Sequence, residues 1–255
     1  MPGDTPFTNQ LFDLQGIQIL QREPVHKVGT DAVLLGGWIA KVVPSVHRIL
    51  DAGTGTGILA LMAARHFQSA IIHAIDIDPE SVELALLNVI HSNLSGRISV
   101  TLADLINPGD GQSLKYDLVV SNPPYYNTGI LPVSESKSRA KHMTVPESSW
   151  MTGLQRSTDQ GGHICVIVSG ESAVHWVREA NALGYYTCDR LDVFSNAGDN
   201  VPKRVLLHFS ATLQKPAISR LDIYKRDQTY TDEYLQLTGI QVKDQITGLL
   251  KPKEK

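Results

Sequence analysis

His47-Arg-Ile-Leu-Asp51-Ala-Gly53-Thr-Gly55-Thr-Gly57 is the stretch that decides the fold. An apolar run ends in an acid, three glycines follow at alternate positions, and a helical pattern resumes near Ile58–Phe67. Glycines allow a tight turn and a close approach of backbone to a ligand, and the helix behind them offers the positive end of its dipole. A strand, a glycine turn and a helix in that order form the first unit of a βαβ architecture.

Outward from this unit, strand-like and helical runs alternate. Strands are predicted at His47–Asp51, Ala70–Asp76, Arg97–Asp104, Tyr116–Asn122, His163–Ser169, Tyr185–Val193 and Arg204–Phe209. Helices are predicted behind Asp78-Pro79, which has the cap and first-turn proline signature, and at Pro146–Ser157 and Ser172–Leu183. The first five strands are continuous apolar runs, the pattern of a parallel sheet covered on both faces. Only a loop from Phe194 to Lys203 separates the last two, too little for a crossover helix, so they should pair antiparallel. The expected fold is α/β, Rossmann-like and doubly wound: a mostly parallel seven-stranded sheet with one antiparallel strand. Ahead of it, alternation around Gln15-Gly16 predicts a hairpin, and Thr30 or Asp31 could cap a helix running through Leu35. One domain is expected over 10–238, with a flexible start at 1–9 and a lysine-rich tail at 239–255.

The 255 residues carry a net charge of −3, which argues against a general nucleic-acid coat protein. Positive charge is concentrated locally: Lys203 to Arg226 holds six Lys/Arg against one acid, Asp222. No run approaches the ~20 apolar residues of a membrane span. The polar start, with Pro2 and Pro6, does not resemble a signal peptide. Cys165 and Cys188 lie in apolar strand-like runs and are read as buried thiols of a reducing, cytoplasmic setting. No Cys/His cluster has metal-ligand spacing, so no metal is expected.

Acids then indicate the ligand. The loop is G-x-G-x-G behind Asp51, not the G-x-G-x-x-G of a dinucleotide site. Asp51 would serve a pyrophosphate poorly. It would serve S-adenosylmethionine well, whose methionine part is cationic. Asp76 and Asp104 close the next two predicted strands, where one could accept ribose hydroxyls and the other the cofactor's adenine amine, since ligands bind at the carboxyl edge of such sheets. Asp78 is more economically a helix cap.

The fourth strand ends in Asn122-Pro123-Pro124-Tyr125-Tyr126. An aromatic amine is a poor nucleophile because its lone pair is delocalised into the ring. The Asn122 side-chain oxygen and the Pro123 carbonyl, accepting one N–H each, would turn that lone pair outward. Prolines hold such a carbonyl rigidly, and Tyr125 would stack on the base.

This Asn-Pro-Pro-Tyr motif resembles that of class I amino-methyltransferases. With Lys27-Val-Gly-Thr-Asp31, Leu34-Leu-Gly-Gly-Trp38, Arg204-Val-Leu-Leu-His-Phe-Ser210 and Tyr230-Thr-Asp-Glu-Tyr234, the chain is similar to the bacterial tRNA(Val) adenine-37 N6-methyltransferases from about Phe12 to Thr238. The resemblance implies S-adenosylmethionine held by Thr30, Asp31, Asp51, Gly53, Gly55, Gly57, Asp76, Asp104 and Asn122, and catalysis by Asn122, Pro123 and Tyr125. It implies a tRNA anticodon arm as partner and favours a monomer. Tyr126 is either a second stacking surface or a core residue. Lys203, Arg204, Arg220, Lys225 and Arg226 are the candidate phosphate contacts, with Lys137, Arg139 and Lys141 the alternative rim. Protein glutamine N5-methyltransferases share the motif but carry a helical domain ahead of the glycines, where this chain has 50 residues before Asp51. DNA adenine methyltransferases add a recognition region not evident here. Intact Asn122, Pro123 and Tyr125 argue against a non-enzymatic RNA-binding module.

Overall fold

The computed structural model describes residues 9–14, 17–22, 29–43, 45–109, 114–124 and 145–240. Two strands, β1 (Asn9–Leu14) and β2 (Ile17–Arg22), form the expected antiparallel hairpin, with Leu14 opposite Ile17. Helix α1 (Thr30–Val42) follows. The glycine unit is β3 (Arg48–Ala52) and α2 (Ile58–His66), and β4 (Ile71–Asp76), α3 (Pro79–His91), β5 (Ile98–Leu102) and β6 (Tyr116–Ser121) come next. Then come α4 (Glu147–Ser157), β7 (Thr158–Ser169), α5 (Ala173–Ala182), β8 (Tyr186–Asn196), β9 (Arg204–Ser210), β10 (Ala217–Tyr224) and α6 (Asp232–Thr238).

Strands β3 to β10 form one sheet in the order β10-β8-β9-β7-β6-β3-β4-β5. Only β9 runs against the others: it pairs antiparallel with both β7 and β8, while β6, β3, β4 and β5 continue in parallel from β7. The sheet therefore has eight strands, not seven. The addition is β10, which lies parallel to β8 at the edge. Its first four residues are exposed, so it lacks the apolar run by which the inner strands are recognised.

Successive residues of the inner strands serve opposite faces. Ile49, Leu118 and Val120 join a core with α1, α2 and the hairpin residues Leu14 and Ile19. Leu50, Val119 and Val166 join a second core with Trp150, Leu154 and Trp176 of α4 and α5. Burial on both faces is what makes these strands uninterrupted apolar sequence. Asn88 of α3 ties the hairpin to the sheet: its amide group accepts from Leu20 N at 2.7 Å and donates to Leu20 O at 3.0 Å and Thr56 O at 2.8 Å.

Cys165 and Cys188 are buried free thiols. Among the described residues no helix is long and apolar enough to cross a membrane. The segments 1–8 and 241–255 lie outside the described residues; Gly239 caps α6 and Ile240 is buried in the first core.

Candidate active site

Strand β3 delivers Asp51 to the carboxyl edge of the sheet, and the glycine loop turns there. Gly53, Gly55 and Gly57 all have positive φ, at 76°, 55° and 82°. L side chains rarely adopt this conformation. Gly57 is also close-packed, since a Cβ there would lie 3.3 Å from Ala85 Cβ of α3. A Cβ at Gly55 would meet nothing within 4 Å, so this side of the loop is open to a ligand.

Asp51 is completely buried. Its Oδ2 accepts from Thr54 Oγ1 at 2.6 Å and from Ala60 N at 3.0 Å. Its Oδ1 is buried with no hydrogen-bond partner among the described residues. Burial pushes the carboxyl from 3.8 up to about 7, against the pull of the Thr54 and Ala60 bonds, and the nearby Asp76 charge adds to the rise. A buried carboxylate with an orphaned oxygen is costly unless a cation meets it. The α-ammonium of S-adenosylmethionine fits that requirement; a phosphate does not.

Beside the loop a cleft opens, bordered by Asp76, Ile77, Asp104, Leu105, Ile106 and Trp150. Asp76 is buried at the end of β4, accepting from Gly55 N at 2.9 Å through one oxygen and from Asp78 N at 3.0 Å through the other. It thus holds the middle of the glycine loop while bordering the cleft. Asp78 is the cap of α3, accepting from Ser81 N. Asp104 does not close β5, which stops at Leu102; it sits two residues on and accepts from Ile106 N at 2.8 Å and Asn107 N at 3.2 Å. The apolar borders Ile77, Leu105, Ile106 and Trp150 were not singled out from the sequence. Each looks like an ordinary core residue, and the one available signal is that Ile77 lies beside Asp76, and Leu105 and Ile106 beside Asp104. The cleft they line, edged by two carboxylates, suits an adenosine: apolar side chains for the base, acceptors for amine and hydroxyls.

Replacing Asp76 with alanine is expected to weaken S-adenosylmethionine binding by about 1.5–3 kcal/mol, the worth of hydrogen bonds to a charged group. Titration calorimetry giving wild-type affinity in a folded Asp76→Ala protein would remove this residue from the site.

Asn122 follows β6, next to the glycine loop: Ser121 pairs with Ala52 in the sheet, and its Oγ donates to Ala52 O at 2.7 Å. Asn122 is half-buried and Pro123 buried. Tyr125, Tyr126, Lys137, Arg139 and Lys141 lie outside the described residues.

Thr30 and Asp31 do not cap α1. Gly29 occupies the cap position without any side-chain cap bond, and Thr30 and Asp31 begin the helix. Asp31 instead accepts from Arg204 Nε at 2.8 Å, joining the first turn of α1 to the start of β9 at the same edge of the sheet. Arg204 is thus half-buried and paired with an acid. Two further candidate phosphate contacts are paired as well. Arg220 bonds Asp222 at 2.6 Å and lies 3.6 Å over the Phe194 ring, and Lys225 reaches Asp232 at 3.0 Å. Lys203 and Arg226 are exposed.

A parallel sheet reversed only at β9, with an acid–glycine loop after β3 and Asn-Pro-Pro after β6, defines a Rossmann-like methyltransferase. The profile of the methyltransferase small domain matches residues 33–135. In fold, the chain superposes on a predicted O-methyltransferase from Agrobacterium tumefaciens (TM-score 0.65, 17% identity, 82% of this chain and 95% of that one). It also superposes on TYW2 from P. horikoshii, solved in complex with MeSAdo (TM-score 0.56, 15% identity, 81% and 73%). The chain is 35% identical over 214 residues to the tRNA1(Val) (adenine(37)-N6)-methyltransferase of Citrobacter koseri, covering 83% of this chain and 86% of that protein. With its counterpart from Cronobacter sakazakii it shares 32% over 237 residues, covering 92% and 95%. The chain belongs to the tRNA1(Val) (adenine(37)-N6)-methyltransferase family.

Proposed function

We propose that this protein transfers a methyl group from S-adenosylmethionine to the exocyclic N6 of adenine 37 in tRNA(Val), acting in the cytoplasm. The observation that carries the reading is the juxtaposition at one sheet edge of Asn122-Pro123, ending β6, with the Asp51–Gly57 loop of the adjacent β3. When bound, S-adenosylmethionine supplies a methyl group already activated by its sulfonium. The protein's part is to hold and orient. Asp51 would meet the ammonium, and Asp76 and Asp104 the ribose and adenine. The Asn122 side-chain oxygen and Pro123 carbonyl accept the two N–H hydrogens of the target amine, so its lone pair faces the methyl carbon. The surplus proton of the methylated amine would pass to water once the two acceptors release it. No side chain needs to act as a strong base, and orientation supplies most of the rate gain. An anticodon-loop base is already partly unstacked, which lowers the cost of presenting it.

Incubation with total tRNA and labelled cofactor, followed by nucleoside mass spectrometry, tests this directly. N6-methyladenosine in a valine tRNA is expected. Label in protein glutamine, or none in RNA, would overturn the reading.

Arg204, Arg220 and Lys225 each also pair with an acid, so Lys203 and Arg226 give the simplest first test of the proposed phosphate rim. A Lys203→Ala/Arg226→Ala protein should keep its cofactor affinity while tRNA binding weakens. The slope of log K against log salt should become shallower by roughly 0.7–0.9 per lost contact. An unchanged slope would place the phosphate contacts elsewhere, first at Lys137, Arg139 and Lys141.

A further inference from the structure

Helix α4 supports the cofactor cleft through three residues spaced three apart on one face: Trp150, Gly153 and Arg156. Trp150 borders the cleft. Gly153 lets the helix lie against the segment after β5: a Cβ there would be 2.9 Å from both Leu105 O and Leu105 Cγ. Arg156 donates from one guanidinium nitrogen to Leu105 O at 2.6 Å and Ile106 O at 2.9 Å.

These two carbonyls belong to the same peptide groups as the Ile106 and Asn107 N–H, and both N–H groups donate to Asp104 Oδ1. Two consecutive peptide groups are therefore gripped at both ends, by a carboxylate on the N–H side and a guanidinium on the C=O side. Peptide dipoles aligned between opposite charges polarise one another and strengthen both sets of bonds. Arg156 has no acidic partner among the described residues, and its Nε is buried with no hydrogen-bond partner. A guanidinium held in this way is unusual, because buried N–H groups are nearly always satisfied. Its counter-charge is Asp104, reached through the backbone.

We propose that Arg156 is a positioning residue for the adenine of the cofactor. Through the two peptide groups it fixes the direction of the Asp104 carboxylate and the distance between the Leu105–Ile106 side of the cleft and Trp150. It touches neither the methyl group nor the RNA. This inference rests on the S-adenosylmethionine reading, which fails separately: wild-type protein that binds no S-adenosylhomocysteine overturns that reading and this inference with it.

The test is calorimetry of Arg156→Met and Arg156→Lys with two probes, S-adenosylhomocysteine and adenosine, alongside steady-state kinetics. Arg156→Met should raise Kd for both probes by about tenfold, the equivalent of one ordinary hydrogen bond. Lysine, which can hold one carbonyl, should fall between it and wild type. KM for S-adenosylmethionine should rise in step, with kcat at saturating cofactor changed by less than about twofold and KM for tRNA constant. In a double-mutant cycle with Asp104→Asn, the losses in adenosine affinity should be less than additive, because both changes release the same peptide groups. A role confined to fold stability would lower Tm and leave both dissociation constants at wild-type values; that result overturns the proposal. So does a loss for S-adenosylhomocysteine with adenosine unaffected, which would place the effect at the amino-acid end. Should Arg156→Met not fold, Gly153→Ala displaces Leu105 O from the same side. It should show the same paired loss, and wild-type affinity for both probes would equally overturn the proposal.

Discussion

Asn122→Ala protein should bind S-adenosylmethionine and tRNA almost as wild type does and yet turn over at least about 10²-fold more slowly, by analogy with the loss of one oxyanion-hole donor. The separation follows from where Asn122 sits. Asp51, Asp76 and the glycine loop, which would hold the cofactor, belong to β3 and β4, whereas Asn122 follows β6 and faces the same edge from the next strand. Its proposed contact is with the amine that reacts. The alignment it provides is realised most fully as the nitrogen becomes tetrahedral, so its loss should appear in kcat rather than in KM. Single-turnover rates at saturating tRNA, with cofactor affinity measured on the same preparation, make the comparison. Near wild-type kcat would contradict the catalytic assignment of the motif as a whole.

The placement of the candidate site residues was legible in the sequence because they lie at strand ends with distinctive types. Asp51 with its glycines, Asp76, and Asn122-Pro123 fall at the sheet edge where their strands were expected to finish. The reversal of β9 was legible too, because a loop has too few residues for a crossover. Features that depend on contacts between distant segments were not. Only the second half of β10, Leu221–Tyr224, reads as strand-like; its first half is exposed, and its pairing with β8 supplies what its composition lacks. Asp31 and Arg204 are 173 residues apart, so each was assigned a role of its own, cofactor contact and phosphate contact, and their mutual ion pair could not be read from the sequence. Trp150 and Arg156 are ordinary residues of an amphipathic helix until α4 packs on the segment after β5. Surface charge was the weakest guide: six cations in one segment suggested a basic rim, and three of them pair with acids, two of which, Asp31 and Asp232, lie outside that segment.

Cofactor affinity should rise with pH below about 7, and Asp51 is the reason. In the unliganded fold its carboxyl is pushed from 3.8 to about 7 by burial. Between those values the folded state holds a proton that the unfolded chain has released. Stability therefore falls as pH rises through that window, by about 4 kcal/mol for this group alone. A cationic α-ammonium against the orphaned Oδ1 reverses the preference and draws the carboxyl back to its charged form. Below pH 7, binding must expel the proton, so the association constant should gain about tenfold per pH unit and level off near 7. It should decline again above roughly pH 8, where the ligand's own amine loses its charge. On the acid side, calorimetry in buffers of different ionisation enthalpy should detect proton release on cofactor binding, fading as pH rises past Asp51's titration. Asp51→Asn removes the titrating group while nearly keeping its shape. Its affinity should lack the acidic limb and, at pH 7.5, be weaker by about 1.5–3 kcal/mol. If wild-type affinity is flat from pH 5.5 to 7.5, or the asparagine variant keeps the same slope, Asp51 is not the counter-ion of the cofactor and its orphaned oxygen has another purpose.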